Sequence, residues 1–325
     1  MPAVSYEVLD YGQLDGWRDD NFDRALQVFV DTVDLIAAPG WQGLLELARQ
    51  AENARDFFES AFTPVLMSDG GQAHFTGYYE PELGASPVQD GAFQFPIYAV
   101  PPELDGNTPF LSRAQIERDG ALAGRDLEIA WLDSAVERYF LQVQGSGRLR
   151  LTDGSVMRVG FAAKNGHPYT SLGKRLIQAG VFAAQEITAD AIRLWASDNP
   201  GIAQTLMWQN ASYVFFKQIT DIQPQDGPLG TMQRPITAGR SIAVDDQVIP
   251  LGAPIWVETD GADPIRRLMI AQDTGSAIKG AQRADLFIGT GAAAGKVAGA
   301  INDTGRMVVL WPKEALQHLQ GTAYA

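Results

Sequence analysis

Short β-prone runs, separated by segments that contain glycine, proline, aspartate or asparagine, follow one another from about residue 74 to residue 311. Runs of this length with such breaks are typical of strands in β-sandwiches and small β-barrels. The pattern therefore predicts a mainly β fold for this part of the chain. The candidate strands are 93–100, 127–132, 139–143, 156–159, 214–217, 236–244, 255–258, 267–271, 284–288 and 307–311.

The segment before residue 74 has a helical pattern instead. Apolar residues recur at helical spacing between residues 22 and 33, behind Asn21, which can cap the start of a helix. The sequence therefore predicts N-terminal helices ahead of the β-rich part. The same pattern predicts shorter helices at 44–48, 57–62, 171–178 and 188–197.

The composition excludes several kinds of site. The chain has no cysteine, which excludes disulfides, thiolate nucleophiles and cysteine metal sites. Its three histidines, His74, His167 and His318, have no ligand spacing, so we expect no metal and no cofactor. A net charge of −14 would repel phosphates, so we expect no nucleic acid partner.

Neither a membrane span nor a signal peptide is visible in the sequence. No apolar run approaches the roughly 20 residues that cross a bilayer. The opening residues, Met1-Pro2-Ala3-Val4, lack a basic region followed by an apolar stretch. These observations leave the compartment open, because a mature fragment would have the same appearance.

Two aspartate motifs resemble those of aspartic proteases. Asp273-Thr274-Gly275 and Asp303-Thr304-Gly305 each have the Asp-Thr-Gly order that places a carboxylate in such enzymes. The two aspartates lie too close in sequence to come from separate lobes of a two-lobed protease. An aspartic protease is therefore the less favoured alternative.

The run from residue 270 to residue 289 has a second interpretation. A strand would bring Asp273 to a glycine-rich turn, and the chain would return with Asp285 immediately before the apolar residues 286–288. Apolar neighbours desolvate a carboxyl group and raise its pKa, which suits a general acid. An aspartate that only caps a turn fits the same pattern.

Several segments together resemble the membrane-bound lytic murein transglycosylase A family, which carries a C-terminal 3D domain named after three aspartates. Asp273, Asp285 and Asp303 match that trio. The other similar segments, in the family's order, are 75–81, 144–147, 160–169 and 234–249.

The resemblance implies a double-psi β-barrel formed by residues 1–83 together with 223–325, with the 3D module at about 230–312. It implies that residues 84–222 form a smaller inserted β-domain and that a groove between the two domains holds a glycan strand. The family's activity would make the chain a lytic transglycosylase that cleaves the MurNAc–GlcNAc β-1,4 bond and forms 1,6-anhydro-MurNAc. Asp285 would be its single general acid and base, with Asp273 in support. A non-catalytic glycan-binding protein is the main alternative.

The resemblance also indicates residues that contact the glycan, a location in the periplasm or outer membrane, and a monomer whose partners are peptidoglycan strands. Two departures stand out: no lipid-accepting cysteine is present, and Arg283 occupies a position where related sequences often have histidine. A solvated strand end, a plain turn and a structured loop are the alternative interpretations for the binding residues. The expected binding residues are Tyr78, Tyr79, Glu80, Gln144, Gly145, Ser146, Gly147, Lys164, Asn165 and Tyr169.

Overall fold

The computed structural model describes residues 4–36, 40–184 and 186–319 of the chain. Met1, Pro2 and Ala3, which were inspected for a signal peptide, lie outside this part. The side chain of His318, one of the three histidines considered as metal ligands, lies outside it too. The strands are β1 Ser5–Val8, β2 Phe62–Ser68, β3 His74–Glu80, β4 Glu82–Ser86, β5 Phe95–Tyr98, β6 Glu128–Leu132, β7 Ser146–Leu151, β8 Val156–Lys164, β9 Val214–Ile219, β10 Ser241–Val244, β11 Pro254–Thr259, β12 Arg266–Thr274, β13 Arg283–Thr290, β14 Asn302–Asp303 and β15 Gly305–Pro312. The helices are α1 Phe22–Val30, α2 Leu44–Arg49, α3 Ala54–Ala61, α4 Arg113–Glu117, α5 Ala135–Gln144, α6 Leu172–Gln178, α7 Ala189–Asp198, α8 Pro200–Trp208, α9 Gly291–Ala300 and α10 Leu316–Leu319. The mainly β fold with N-terminal helices is confirmed.

The chain divides into two compact units. The first comprises the described residues within 1–79, 225–289 and 293–325, and the second comprises those within 80–224 and 290–292. The first unit contains a nine-stranded sheet in the order β1-β2-β15-β11-β12-β10-β13-β3-β14, and the second contains a six-stranded sheet in the order β5-β6-β4-β7-β8-β9. No pairing among the described residues joins β1 to β14, so the larger sheet is not found as a closed barrel.

Two of the N-terminal helices, α1 and α3, each have a capping side chain and an apolar face. The Asn21 side chain accepts a hydrogen bond from the backbone of α1, and the Asn53 side chain does the same for α3. The apolar faces of these helices meet in an aromatic cluster, in which the Phe29 ring lies 5.9 Å from that of Phe58 and 5.7 Å from that of Phe62. These residues form part of the core of the first unit.

One predicted strand, 139–143, is wrong: this segment lies inside α5. Ser134 caps the helix by accepting from the backbone of Glu137, and Gly145 ends it in a left-handed conformation with φ 79°. Tyr139 and Leu141 are buried in two different hydrophobic clusters. The short apolar run fits a strand and a helix equally well, and the flanking caps decide for the helix.

The predicted strand 236–244 is shorter in the structure. Only Ser241–Val244 are extended, because Gly239 has a φ of 66° and the Arg240 N–H bonds back to the Thr237 carbonyl. This turn comes directly before β10, the strand on which the candidate site is centred. No helix in the described part of the chain is long and apolar enough to cross a membrane.

Candidate active site

The two aspartates singled out in the sequence come from strands on either side of β10. Ala243 of β10 pairs with Asp273 of β12 in parallel register and with Asp285 of β13 in antiparallel register. Neighbouring strands lie about 4.8 Å apart, so the two aspartates lie level with each other, two strand spacings apart. The sheet therefore brings together two carboxylates that are separated by a glycine-rich turn in the sequence.

A bulge aims Asp273 toward this site. The register between β10 and β12 shifts between Ile242 and Ala243, and Gln272 is the residue that β12 has in excess. Gln272 is only 1% exposed, and its side-chain oxygen accepts a hydrogen bond from the Ser241 hydroxyl. Because an extra residue reverses the alternation of side chains, the bulge puts Gln272 in the interior and redirects Asp273.

Asp285 makes one side-chain hydrogen bond among the described residues. The Thr76 hydroxyl on β3 donates to Asp285 Oδ1 over 2.7 Å, and Arg283 Nη2 donates to Thr76 Oγ1 over 2.8 Å. As a whole residue, Asp285 is half-buried. No described residue donates a hydrogen bond to its Oδ2.

The environment of Asp285 favours the protonated acid. Burial raises the pKa of its carboxyl group to about 6, and the negative charge of Asp273 acts in the same direction. The Thr76 hydrogen bond and the positive charge of Arg283 oppose this rise but do not cancel it. A carboxyl group with this pKa can both release and recover a proton near neutral pH.

Asp273 has a different environment, because its oxygens are already occupied by donors. Its Oδ1 accepts from the Thr231 N–H at 3.0 Å, the Thr231 hydroxyl at 2.8 Å and the Thr274 N–H at 2.9 Å. Its Oδ2 accepts from the Tyr78 hydroxyl at 3.0 Å. Burial raises the pKa of Asp273, and these four donors act against the rise. Asp273 is therefore suited to tuning Asp285 rather than to attacking a substrate.

Tyr78, on β3, donates a hydrogen bond to Asp273. Its ring lies 5.3 Å from that of Phe287, and burial together with the charges of Asp273 and Asp285 raises the pKa of its hydroxyl well above the usual range. Tyr78 therefore stays protonated and acts as a donor. Tyr79, the next residue on β3, lies on the opposite face and packs close to Gly295, where an added Cβ would come within 2.7 Å of the ring.

Glu80 is a buried ion-pair partner rather than a solvated strand end. It is 1% exposed and accepts from Arg148 Nε at 2.8 Å, Arg158 Nη2 at 2.9 Å and the Thr290 hydroxyl at 2.9 Å. The same two arginines donate to the carbonyls of residues 224 and 223, at 2.8 and 3.1 Å. The carboxylate and the two arginines thus connect both ends of the segment 80–224.

The segment 144–147 joins α5 to β7. Gln144 is the last residue of the helix, Gly145 is its left-handed cap, and Ser146 pairs with Gly160 of β8. Gly147 is closely packed, since an added Cβ would lie 2.5 Å from Leu141 Cδ1 and 3.3 Å from the Pro81 carbonyl oxygen. The segment is therefore more than a plain turn, because it consists of a helix cap followed by the start of a strand.

Asn165 is buried and fully hydrogen-bonded. Its side-chain nitrogen donates to the carbonyls of Leu111 and Ala211, both at 2.8 Å, and its side-chain oxygen accepts from the Tyr213 N–H at 2.8 Å. These bonds hold a loop together and leave little for a substrate. Lys164, at the end of β8, and Tyr169, which is 43% exposed, are the accessible members of this group.

Asp303, the third aspartate of the trio, lies in β14 opposite Phe75. Its carboxylate packs against Gly261, where an added Cβ would come within 2.2 Å of it. In the part of the chain that the structure describes, no group of three acidic or histidine side chains could hold a metal ion.

Thr76 and Thr231 donate hydrogen bonds to the two aspartates and Arg283 donates to Thr76, and none of the three was among the expected site residues. For Thr76 a signal was present, because His74, Thr76 and Tyr78 alternate along β3 and therefore share one face. Thr231 had no comparable signal, since it lies in a loop and reaches Asp273 only through the fold.

Comparison with known proteins agrees with this architecture. A family model for the MltA specific insert domain matches residues 74–217, and a family model for the 3D domain matches residues 240–311. Membrane-bound lytic murein transglycosylase A of Escherichia coli (strain K12) is 36% identical over 281 residues, which cover 83% of this chain and 74% of that protein. The relative from Vibrio cholerae is 32% identical over 248 residues, 73% of this chain and 65% of that protein.

Solved structures are similar over nearly the whole chain. The crystal structure of a membrane-bound lytic murein transglycosylase from Agrobacterium tumefaciens has a TM-score of 0.88 at 32% identity and covers 97% of this chain and 99% of that one. Escherichia coli MltA with bound chitohexaose has a TM-score of 0.75 at 30% identity and covers 90% and 89%. Fold and sequence together define a 3D-domain protein with an MltA-specific insert. The chain belongs to the membrane-bound lytic murein transglycosylase A family, as its motifs predicted.

Proposed function

We propose that this protein is a lytic transglycosylase that cleaves the MurNAc–GlcNAc β-1,4 bond of peptidoglycan and leaves a 1,6-anhydro-MurNAc end. The observation that carries the proposal is the contrast between two neighbouring carboxyl groups. Burial raises the pKa of Asp285 to about 6 and no described donor bonds to its Oδ2, whereas four donors bond to the oxygens of Asp273. Ordinary glycosidases use one carboxyl group as acid and a second carboxylate as base or nucleophile.

One carboxyl group suffices when the substrate supplies the nucleophile. Protonated Asp285 donates its proton to the glycosidic oxygen, the bond from that oxygen to C1 of MurNAc breaks, and C1 develops oxocarbenium character. The C6 hydroxyl of the same sugar then attacks C1, and its proton passes to the Asp285 carboxylate. The ring closes without water and the acid is restored. Such an intramolecular attack can have an effective molarity of about 10⁵ M or more.

The binding residues are a further part of the proposal. Tyr78, Tyr79, Gln144, Lys164 and Tyr169 retain accessible surface that could meet sugar rings, acetamido groups or the peptide stem. Glu80, Asn165, Ser146 and Gly147 are buried, and we infer that they shape the binding elements from behind, with Gly145 as the cap that ends α5. That a relative binds chitohexaose, a β-1,4-linked glycan, supports a glycan substrate.

We infer that residues 1–83 with 223–325 form the catalytic double-psi β-barrel domain and that residues 84–222 form the inserted domain. We also infer a monomer that works on peptidoglycan strands in the periplasm or at the outer membrane. The names of the relatives support an envelope location, since each is described as membrane-bound.

The product spectrum tests the function. Purified sacculi are digested with the wild-type protein, with Asp285→Asn and with Asp273→Asn, and the soluble muropeptides are analysed by mass spectrometry. We expect anhydro-muropeptides from the wild type, none from Asp285→Asn despite normal sacculus binding, and reduced but measurable release from Asp273→Asn. Reducing MurNAc ends would identify a hydrolase instead, and binding without release by the wild type would identify a non-catalytic glycan-binding protein.

A further inference from the structure

Arg283, at the start of β13, makes hydrogen bonds to the neighbouring strand β3. Its Nη2 donates to Thr76 Oγ1 at 2.8 Å, and its Nη1 donates to the His74 carbonyl at 3.3 Å and to the Ala284 carbonyl. Two of these acceptors belong to β3 and one belongs to its own strand. The guanidinium group is therefore held in one orientation beside Asp285 without bonding to that carboxylate directly.

The donor and the acceptor can be assigned in both hydrogen bonds of the Thr76 hydroxyl. A guanidinium group can only donate, so Thr76 Oγ1 must be the acceptor in its bond with Arg283. A threonine hydroxyl has a single hydrogen, and Asp285 Oδ1 is the one acceptor that the described residues offer it. If Asp285 carried its proton on Oδ1 and donated to Thr76, the threonine hydrogen would lose its partner. The arrangement that satisfies every group runs from Arg283 to Thr76 to Asp285 Oδ1.

We propose that Arg283 is a positioning residue that acts through Thr76 to confine the exchangeable proton of Asp285 to Oδ2. The proposal rests on the proposed function only for the chemistry that this proton performs. Because the Thr76 donation can persist in both protonation states of the acid, Oδ1 stays an acceptor throughout. One oxygen atom, Oδ2, then releases the proton to the glycosidic oxygen and recovers one from the C6 hydroxyl. Both transfers occur on the same side of the carboxyl group.

The other groups around Asp285 do not determine which of its two oxygens carries the proton. The charges of His74 and Asp273 influence the pKa of Asp285, but neither residue makes a hydrogen bond to it. The His74 ring instead bonds to Asn302 at 2.8 Å, and the Tyr78 hydroxyl is directed to Asp273. Thr76 is the single described donor to Asp285, and Arg283 is the single described donor to the Thr76 hydroxyl.

A double-mutant cycle tests whether Arg283 acts through Thr76. We expect Thr76→Val to lower kcat on soluble glycan strands by about 10- to 100-fold, the range for one lost hydrogen bond to a charged group, with little change in KM. Arg283→Leu should lower kcat by about tenfold alone and by less than twofold in the Thr76→Val background. Thr76→Ser, which keeps the hydroxyl, should restore most of the rate. The control for loss of a positive charge is Arg150→Leu, because the Arg150 side chain is 67% exposed and pairs with Glu82 rather than with Asp285.

The carboxyl titration of Asp285 gives a second measurement that does not need turnover. With ¹³C-labelled aspartate, the Asp285 signal should titrate at higher pH in Thr76→Val and in Arg283→Leu, and the two shifts should not add in the double variant. Additive shifts and additive losses of kcat would overturn the proposal, because Arg283 would then act only as a distant charge. An inactive wild type would refute the proposed function, while the titration would still decide the role of Arg283.

Discussion

Asp273 and Asp285 lie opposite the same residue, Ala243, from the two strands that flank β10. The small side chain between them leaves two carboxylates within mutual electrostatic influence, and the charge of Asp273 contributes to the raised pKa of Asp285. Their hydrogen-bond partners differ, since four donors bond to the oxygens of Asp273 and one described donor bonds to Asp285.

The rate should fall as the pH rises through about 6. The reaction begins with protonated Asp285, whose pKa is raised to about 6, so the active form is lost above that pH. We expect kcat/KM for release of soluble muropeptides to decrease about tenfold per pH unit on the alkaline side. Initial rates between pH 4 and pH 8 give the profile. A rate that stays constant up to pH 8, or an alkaline limb near pH 4, would contradict the assignment of Asp285 as the acid.

Asp285→Asn should be more stable than the wild type at pH 8. The folded-state pKa is raised from 3.8 to about 6, so the folded state binds more protons than the unfolded state between these values. The stability of the wild type therefore falls as the pH rises from about 4 through about 6. We expect a difference in the free energy of unfolding on the order of 2–3 kcal/mol at pH 8 that disappears near pH 3.5. Urea titrations of both proteins at the two pH values measure it, and an equal difference at both would refute the linkage.

Tyr78→Phe should slow the reaction without unfolding the site. The substitution keeps the ring that packs on Phe287 and removes one donor from Asp273 Oδ2. The pKa of Asp273 should rise further, because its charged form loses a hydrogen bond. We expect kcat to fall about threefold to tenfold, as for loss of one hydrogen bond. An unchanged kcat and pH profile would show that Asp273 does not tune the reaction.

Glu80→Gln should destabilise the protein more than it affects binding. Removing a buried charge leaves Arg148 and Arg158 without their common partner, which we expect to cost about 3 kcal/mol of unfolding free energy. Glu82→Gln is the matched control, because Glu82 pairs at 3.4 Å with Arg150, which is 67% exposed, and its loss should cost under about 1 kcal/mol. Urea midpoints compare the two. A raised KM at unchanged stability would instead support direct contact of Glu80 with the glycan.

The sequence sufficed to locate the two aspartates because they share one continuous motif with a glycine-rich turn. It did not suffice for their partners, since Thr76 is separated from Asp285 by 209 positions and meets it only through pairing between distant strands. Glu80 was predicted to be solvated or glycan-binding because its arginine partners lie 68 and 78 residues downstream. The misassigned strand at 139–143 had a different cause, as a short apolar run has no clear period and only its caps define a helix.

Arg148 and Arg158 hold the Glu80 carboxylate and the carbonyls of residues 223 and 224 in one cluster, so the chain enters and leaves the segment 80–224 at a single place. A module whose ends are fastened together can be lengthened, shortened or exchanged without moving the strands that precede and follow it. Grafting a relative's insert onto this chain should therefore succeed when the donor brings its own equivalents of the carboxylate and both arginines. A graft that lacks them would begin and end in the same residues, but its two ends would no longer be fastened together.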